Sequence, residues 1–165
     1  QACLRGLLAI KDPDIVVFMD ADYSDYPEEL IELCRPILND LADLVIGSRV
    51  SGKAAPGALL PQARFGNWLA VFLIKRLFGV EFSDLGPFRA IRYGCLKKLN
   101  MSDTDFGWTV EMQVKAASRN MRCVEIPVRY RKRIGSSKIT GTLSGSLRAG
   151  SKILLTIFKY YHFRY

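Results

Sequence analysis

Two aspartates one residue apart, Asp20 and Asp22, follow a short apolar run, Asp14-Ile-Val-Val-Phe-Met19. The run is rich in β-branched residues and reads as a buried strand, so the acids fall at its carboxyl end, where open α/β sheets bind ligands. Neither acid can be buried unpaired without a large cost. A hard divalent cation bridging a diphosphate would give both a partner. The competing reading is a solvated turn in which one Asp caps a helix.

Three further segments carry groups suited to chemistry. Tyr130-Arg-Lys-Arg-Ile-Gly-Ser-Ser-Lys138 places four cations and two hydroxyls around one glycine. Guanidinium forks, hydroxyls and backbone amides are what phosphate oxygens require, although a solvated basic loop or a nucleic-acid patch has the same composition. Ser83-Asp-Leu-Gly-Pro-Phe-Arg89 sets Asp84 beside a Gly-Pro kink with Arg89 five residues on. This is either a shaped site or an internal Asp–Arg ion pair. Phe106-Gly-Trp-Thr-Val-Glu-Met112 puts Glu111 at a helix start, where an acid also serves the helix dipole.

The elements that must hold these groups alternate in type. A helix is predicted over residues 1–10. Asp25-Tyr-Pro-Glu-Glu29 opens a second helix, with Leu30, Leu33 and Ile37 on one face. Asp43 to Ser48 forms a second buried strand. A Gly/Pro/Ala-rich loop over 51–61 leads to an apolar helix over 64–78. Gly86–Ile91 and Arg122–Arg131 read as strands, Thr109–Arg119 as a helix, and Ile134–Ser146 as a loop. The alternation predicts an α/β fold with a mainly parallel sheet flanked by helices. One partial catalytic domain would occupy residues 1–145, and a basic amphipathic juxtamembrane helix residues 146–165.

Charge is divided along the chain. The net charge is +8; residues 1–88 sum to −4 and residues 89–165 to +12. An acidic front and a basic rear suit a metal-and-phosphate site beside an anionic surface, either lipid or nucleic acid. The longest uncharged stretch of the 64–78 helix is 10 residues, against about 20 for a membrane span. Four dispersed cysteines form no C-x-x-C pair and suggest reduced thiols rather than a zinc site. With 49% hydrophobic residues, wholesale disorder is excluded.

In combination, DIVVFMDADYSDYPEEL, VIGSR, SDLGPFRAIR, FGWTVEMQVKAA and RKRIGSSKITGT resemble family 2 glycosyltransferases of the dolichol-phosphate mannosyltransferase (polyprenyl-phosphate glycosyltransferase) type. The resemblance covers nearly the whole chain and implies a GT-A-like fold. The family's opening strand and Pro-x-x-Asn-Glu-like turn, which grip the nucleotide base, are not matched, so the fold is expected to be incomplete at the N-terminus. The resemblance implies an inverting hexosyltransferase working from a nucleotide sugar of the GDP-mannose or UDP-glucose type. Its acceptor would be a polyprenyl or dolichyl phosphate at the cytoplasmic side of a membrane, reached peripherally or through anchors outside this chain. Asp20 and Asp22 would hold Mg²⁺ or Mn²⁺. Arg131, Arg133, Ser137 and Lys138 would bind substrate phosphate, with Lys132 an alternative to the two arginines. Asp84, Arg89 and Glu111 would line the sugar or acceptor side. A lipid phosphate is already anionic, so it needs no strong general base, which suits a chain whose lone His162 lies in the terminal helix. With a protein or polysaccharide hydroxyl as acceptor, Glu111 or Asp84 would have to act as base. A non-enzymatic RNA-binding module is the third reading. It leaves Asp20 and Asp22 unexplained, and no nucleic-acid partner is expected.

Overall fold

A computed structural model of the chain describes residues 2–135 and 143–162. Its elements are α1 (Ala2–Ala9), β1 (Ile15–Phe18), a single 3₁₀ turn (Pro27–Glu29) running into α2 (Leu30–Leu38), β2 (Leu44–Ala54), α3 (Pro61–Phe78), β3 (Arg89–Arg92), α4 (Tyr93–Leu99), α5 (Trp108–Ser118), β4 (Cys123–Tyr130) and α6 (Leu143–His162).

The fold is α/β, as the alternation predicts, but the sheet is mixed rather than mainly parallel. Its strand order is β1-β3-β2-β4. β3 enters between β1 and β2 and runs antiparallel to both, with Val16 opposite Ile91 and Val45 opposite Ala90. Among the described residues, only β2 and β4 pair in parallel. A short run buried on both faces encodes burial but not direction, which is why composition alone favours the parallel arrangement. β2 also extends through Ala54, into the predicted loop, after an irregularity between Ser48 and Lys53.

Burial follows the two faces of β2. Leu44 and Ile46 meet Ile74, Phe78, Met112 and Ile157 of α3, α5 and α6. Val45 faces the other way, onto Leu33 and Ile37 of α2 and Val128 of β4. Leu30, predicted on that face, is instead exposed. α3 starts on Pro61 and stops on Gly79, whose left-handed backbone (φ 73°) donates to the Lys75 carbonyl. α6 begins at Leu143, inside the predicted loop, and packs on α3 and α5 while leaving Leu147, Leu155 and Phe158 outside. Among the described residues no helix is long and apolar enough to cross a membrane. Cys3, Cys34, Cys95 and Cys123 are free and half-buried.

One close approach matters for the site. A Cβ on Gly86 would lie 2.3 Å from the Gly47 carbonyl oxygen. Only glycine lets the 83–86 segment pass this close to β2.

Candidate active site

The segment from Asp20 to Asp25 leaves β1 and folds back on itself. Oδ2 of Asp25 accepts the Asp20 N–H at 3.1 Å. Oδ1 of Asp22 accepts the Ser24 N–H at 3.0 Å and also the Ser24 hydroxyl. Tyr23, between them, adopts a left-handed conformation with φ 72°. The turn gathers three carboxylates in six residues. Burial, then the neighbouring Asp22 charge, raises the pKa of Asp20, with Arg133, Arg49 and Arg89 opposing. Burial pushes Asp25 up to about 6, against the Asp20 N–H that favours its charged form. Asp25 is 2% exposed, and its Oδ1 has no hydrogen-bond partner among the described residues.

The start of the basic loop is stitched to this turn. Arg131 N–H donates to the Ser24 carbonyl at 3.0 Å and Ile134 N–H to the Asp22 carbonyl at 2.9 Å. The Arg131 guanidinium donates to the Tyr23 carbonyl and lies 3.3 Å from the Tyr23 ring centroid and 4.3 Å from that of Tyr26. Arg133 forms an ion pair with Oδ2 of Asp22. Asp20, Asp22, Arg131 and Arg133 therefore come together from segments more than 100 residues apart in sequence. Ser137 and Lys138 lie outside the described residues.

Asp84, Arg89 and Glu111 are placed differently. Asp84 is buried and pairs with Arg49, not with Arg89. Two bonds to the guanidinium (2.8 and 2.7 Å) and one to the Arg49 N–H (2.8 Å) fix the pair. Burial disfavours the Arg49 cation, but Asp84 outweighs it and raises the pKa. The 83–85 segment is itself clamped. Glu125 accepts the N–H groups of Ser83 and Asp84 at 2.9 and 3.1 Å, and Asn67 bonds Ser83 and Leu85. Arg89 is fully buried. It donates to the carbonyls of Leu85, Gly86 and Thr109 and to the side chain of Gln113. Burial lowers its pKa to about 10, with Asp84 opposing.

Glu111 is also fully buried. It accepts from Ser102, Asp103, Tyr160 and, at 2.6 Å, the Lys115 ammonium. Burial works against its charge; Lys115 and the hydrogen bonds outweigh that and hold it at about 2. Its oxygens join α5, the 102–103 segment and α6.

A cleft of about 480 Å³ opens beside Asp20, lined also by Arg49, Trp108, Thr109, Asp105 and Ala149. A second cavity of about 180 Å³, between α3 and α6, shares Arg49, Leu85, Thr109 and Ala149 with it. Asp84, Arg89 and Glu111 stand behind these walls rather than among the lining. Sequence reasoning missed Arg49 and Asp25 as site residues. Their signals were present: Arg49 ends the buried Val-Ile-Gly-Ser run, as Asp20 ends β1, and Asp25 is the third acid of the same turn.

No family model matches the chain. It is 34% identical over 156 residues to an uncharacterised glycosyltransferase of Mycobacterium tuberculosis, covering 90% of this chain and 67% of that protein. It is 31% identical over 141 residues to the undecaprenyl-phosphate mannosyltransferase of Micrococcus luteus, covering 80% of this chain and 56% of the enzyme. It is 32% identical over 137 residues to the polyprenol monophosphomannose synthase of Mycolicibacterium smegmatis, covering 78% and 50%. The chain thus spans from half to two thirds of the length of these relatives. In fold it resembles glucosyl-3-phosphoglycerate synthase of M. tuberculosis, solved with Mn²⁺, UDP-glucose and phosphoglyceric acid. The TM-score is 0.72 and identity 19%, over 98% of this chain and 54% of that one. The chain belongs to the family of glycosyltransferases that includes these polyprenyl-phosphate enzymes, and its fold is GT-A.

Proposed function

We propose that this chain supplies the catalytic cleft of an inverting hexosyltransferase that moves a sugar from a nucleotide sugar to a polyprenyl phosphate at the cytoplasmic face of a membrane. The observation that carries the reading is the meeting of Asp20 and Asp22 with Arg133 and Arg49 at one end of the sheet. Acids for a cation stand there beside cations for phosphate. The names of the relatives in Micrococcus and Mycolicibacterium support the acceptor class.

The donor set fits a divalent ion of the Mg²⁺ type. Among the described residues no three His, Cys, Asp or Glu side chains form a ready-made cage. Two carboxylates completed by substrate phosphate oxygens are what Mg²⁺ commonly uses. Asp20 and Asp22 would hold Mg²⁺ or Mn²⁺, which supplies charge neutralisation for the departing diphosphate. Arg131 and Arg133, with Ser137 and Lys138 further along the sequence, would bind phosphate oxygens. Arg49, held rigid by Asp84, would present its outer edge to the cleft and orient an anionic acceptor. Arg89 and Glu111 would act behind the wall, shaping it through Gly86, Thr109 and the 102–103 segment. A phosphate nucleophile needs no proton removed, in keeping with the engagement of both Asp84 and Glu111 in internal pairs.

Membrane contact would come from α3 and α6. Phe65, Trp68 and Phe72 form an exposed aromatic row on α3, with successive ring centroids 5.8 and 5.9 Å apart. Leu147, Leu155 and Phe158 are exposed on α6, near Arg148 and Lys159. Aromatic and apolar side chains beside cations suit the headgroup layer of an anionic bilayer.

The test is product analysis with the full-length protein, offering a polyprenyl phosphate and a polysaccharide acceptor in parallel. The reading expects a lipid-linked sugar with the anomeric configuration inverted. Transfer to the polysaccharide alone, or a retained anomer, would overturn it.

A further inference from the structure

The ion pair between Arg133 and Asp22 uses the carboxylate oxygen that a divalent cation would need. Oδ1 of Asp22 is engaged by the Ser24 N–H and hydroxyl, and Oδ2 by Arg133. We propose that Arg133 is the resident counter-ion of Asp22, competing with a divalent cation for this carboxylate and releasing it when a diphosphate offers the guanidinium other anionic oxygens. This inference rests on the reading of Asp20 and Asp22 as cation ligands. It adds an order of events: the free protein takes up the cation weakly, and cation and diphosphate bind together.

The local structure permits the exchange. The Arg133 side chain is 37% exposed, so it can swing without disturbing a core. The backbone beside it is tethered independently through Arg131 N–H to Ser24 and Ile134 N–H to Asp22. Gly135, at φ 94°, follows the tether. The main chain can therefore stay on the turn while the guanidinium moves from carboxylate to phosphate, two acceptors that its planar fork fits equally. Arg131 is unsuited to this exchange. It donates to the Tyr23 carbonyl and is stacked on Tyr23 and Tyr26, with no ion pair to Asp22 among the described contacts. The contact also has an electrostatic purpose. Asp20, Asp22 and Asp25 crowd one turn, and among the described residues Arg133 forms an ion pair to it.

The test is Mn²⁺ binding to the full-length protein without nucleotide sugar, following free Mn²⁺ by electron paramagnetic resonance. Arg133→Gln removes the competing charge and should bind Mn²⁺ about fivefold more tightly than the wild type, the scale of one partly exposed ion pair. Arg133→Lys keeps the charge and should stay near the wild-type Kd. Asp22→Asn should weaken binding in either background and cancel the gain from Arg133→Gln. If Asp22→Asn weakens binding but Arg133→Gln leaves Kd unchanged, the competition is refuted while the cation site stands. If Asp22→Asn leaves Mn²⁺ binding unchanged, the cation site itself is wrong and the competition falls with it.

Discussion

At the scale of single residues, three buried acids, Glu111, Asp84 and Asp25, have three environments. Glu111 is surrounded by donors, Asp84 faces one guanidinium, and Asp25 keeps an oxygen with no partner among the described residues. The effects of Glu111 and Asp25 on pH stability differ in sign. The pKa of Glu111 is depressed to about 2. Its stabilisation is complete above the unfolded value, near 4.3, and is lost as pH falls through 2. Asp25 is raised to about 6. It binds a proton more readily folded than unfolded, so stability should rise as pH falls from above 6 toward 4. Glu111→Gln should cost about 3 kcal/mol at neutral pH, because Lys115 then keeps a buried charge without its partner; denaturant melts check this. Asp25→Asn should flatten the pH 4 to 6 limb and leave the acid limb below it intact. Arg49→Lys should reduce transfer about as much as Arg49→Ala, because an ammonium cannot reproduce the bidentate contact to Asp84. Recovery of wild-type kcat/KM by the lysine variant would contradict that geometry.

At the scale of elements, legibility followed the apolar pattern. β1, the start of β2, α3, α5 and β4 are close to where hydrophobicity and punctuation place them. Strand direction was not legible, because β3 is buried on both faces. Residues 51–54 were read as loop because their Gly, Ser and Lys content hides pairing that depends on β4. α4 escaped notice because its 7 residues give too few turns for a period to stand out. The acids at 20–22 were legible because a polar pair after a buried strand is conspicuous. The Arg49–Asp84 pair was not, since its partners are 35 residues apart and only the close approach of the two backbones unites them. That approach gives the element-level prediction. Gly86→Ala would push a methyl into the Gly47 carbonyl and should destabilise the protein by about 2 kcal/mol or more. Thermal melts should register it, and transfer should fall further as Asp84 and Arg49 shift. A second prediction concerns α3. Trp68→Ala with Phe72→Ala removes exposed rings, so the melting temperature should change little while retention by anionic vesicles falls. Unchanged retention would remove α3 from the membrane-facing surface.

At the scale of the whole molecule, α2 covers one face of the mixed sheet while α3, α5 and α6 cover the other. The acidic turn after β1, the arginine in β2 and the basic stretch after β4 meet at one end. Asp20 and Asp22 of the acidic front and Arg133 of the basic rear thus become neighbours, and that adjacency underlies the proposed chemistry. It is tested most directly by hexose transfer from GDP-mannose or UDP-glucose to a polyprenyl phosphate, using full-length wild-type protein and its Asp22→Asn variant. Both should be folded by circular dichroism. The account predicts a lipid-linked product from the wild type that disappears with a chelator and returns with Mn²⁺, and a loss of about 10³-fold or more in the variant. Wild-type turnover by folded Asp22→Asn would contradict it.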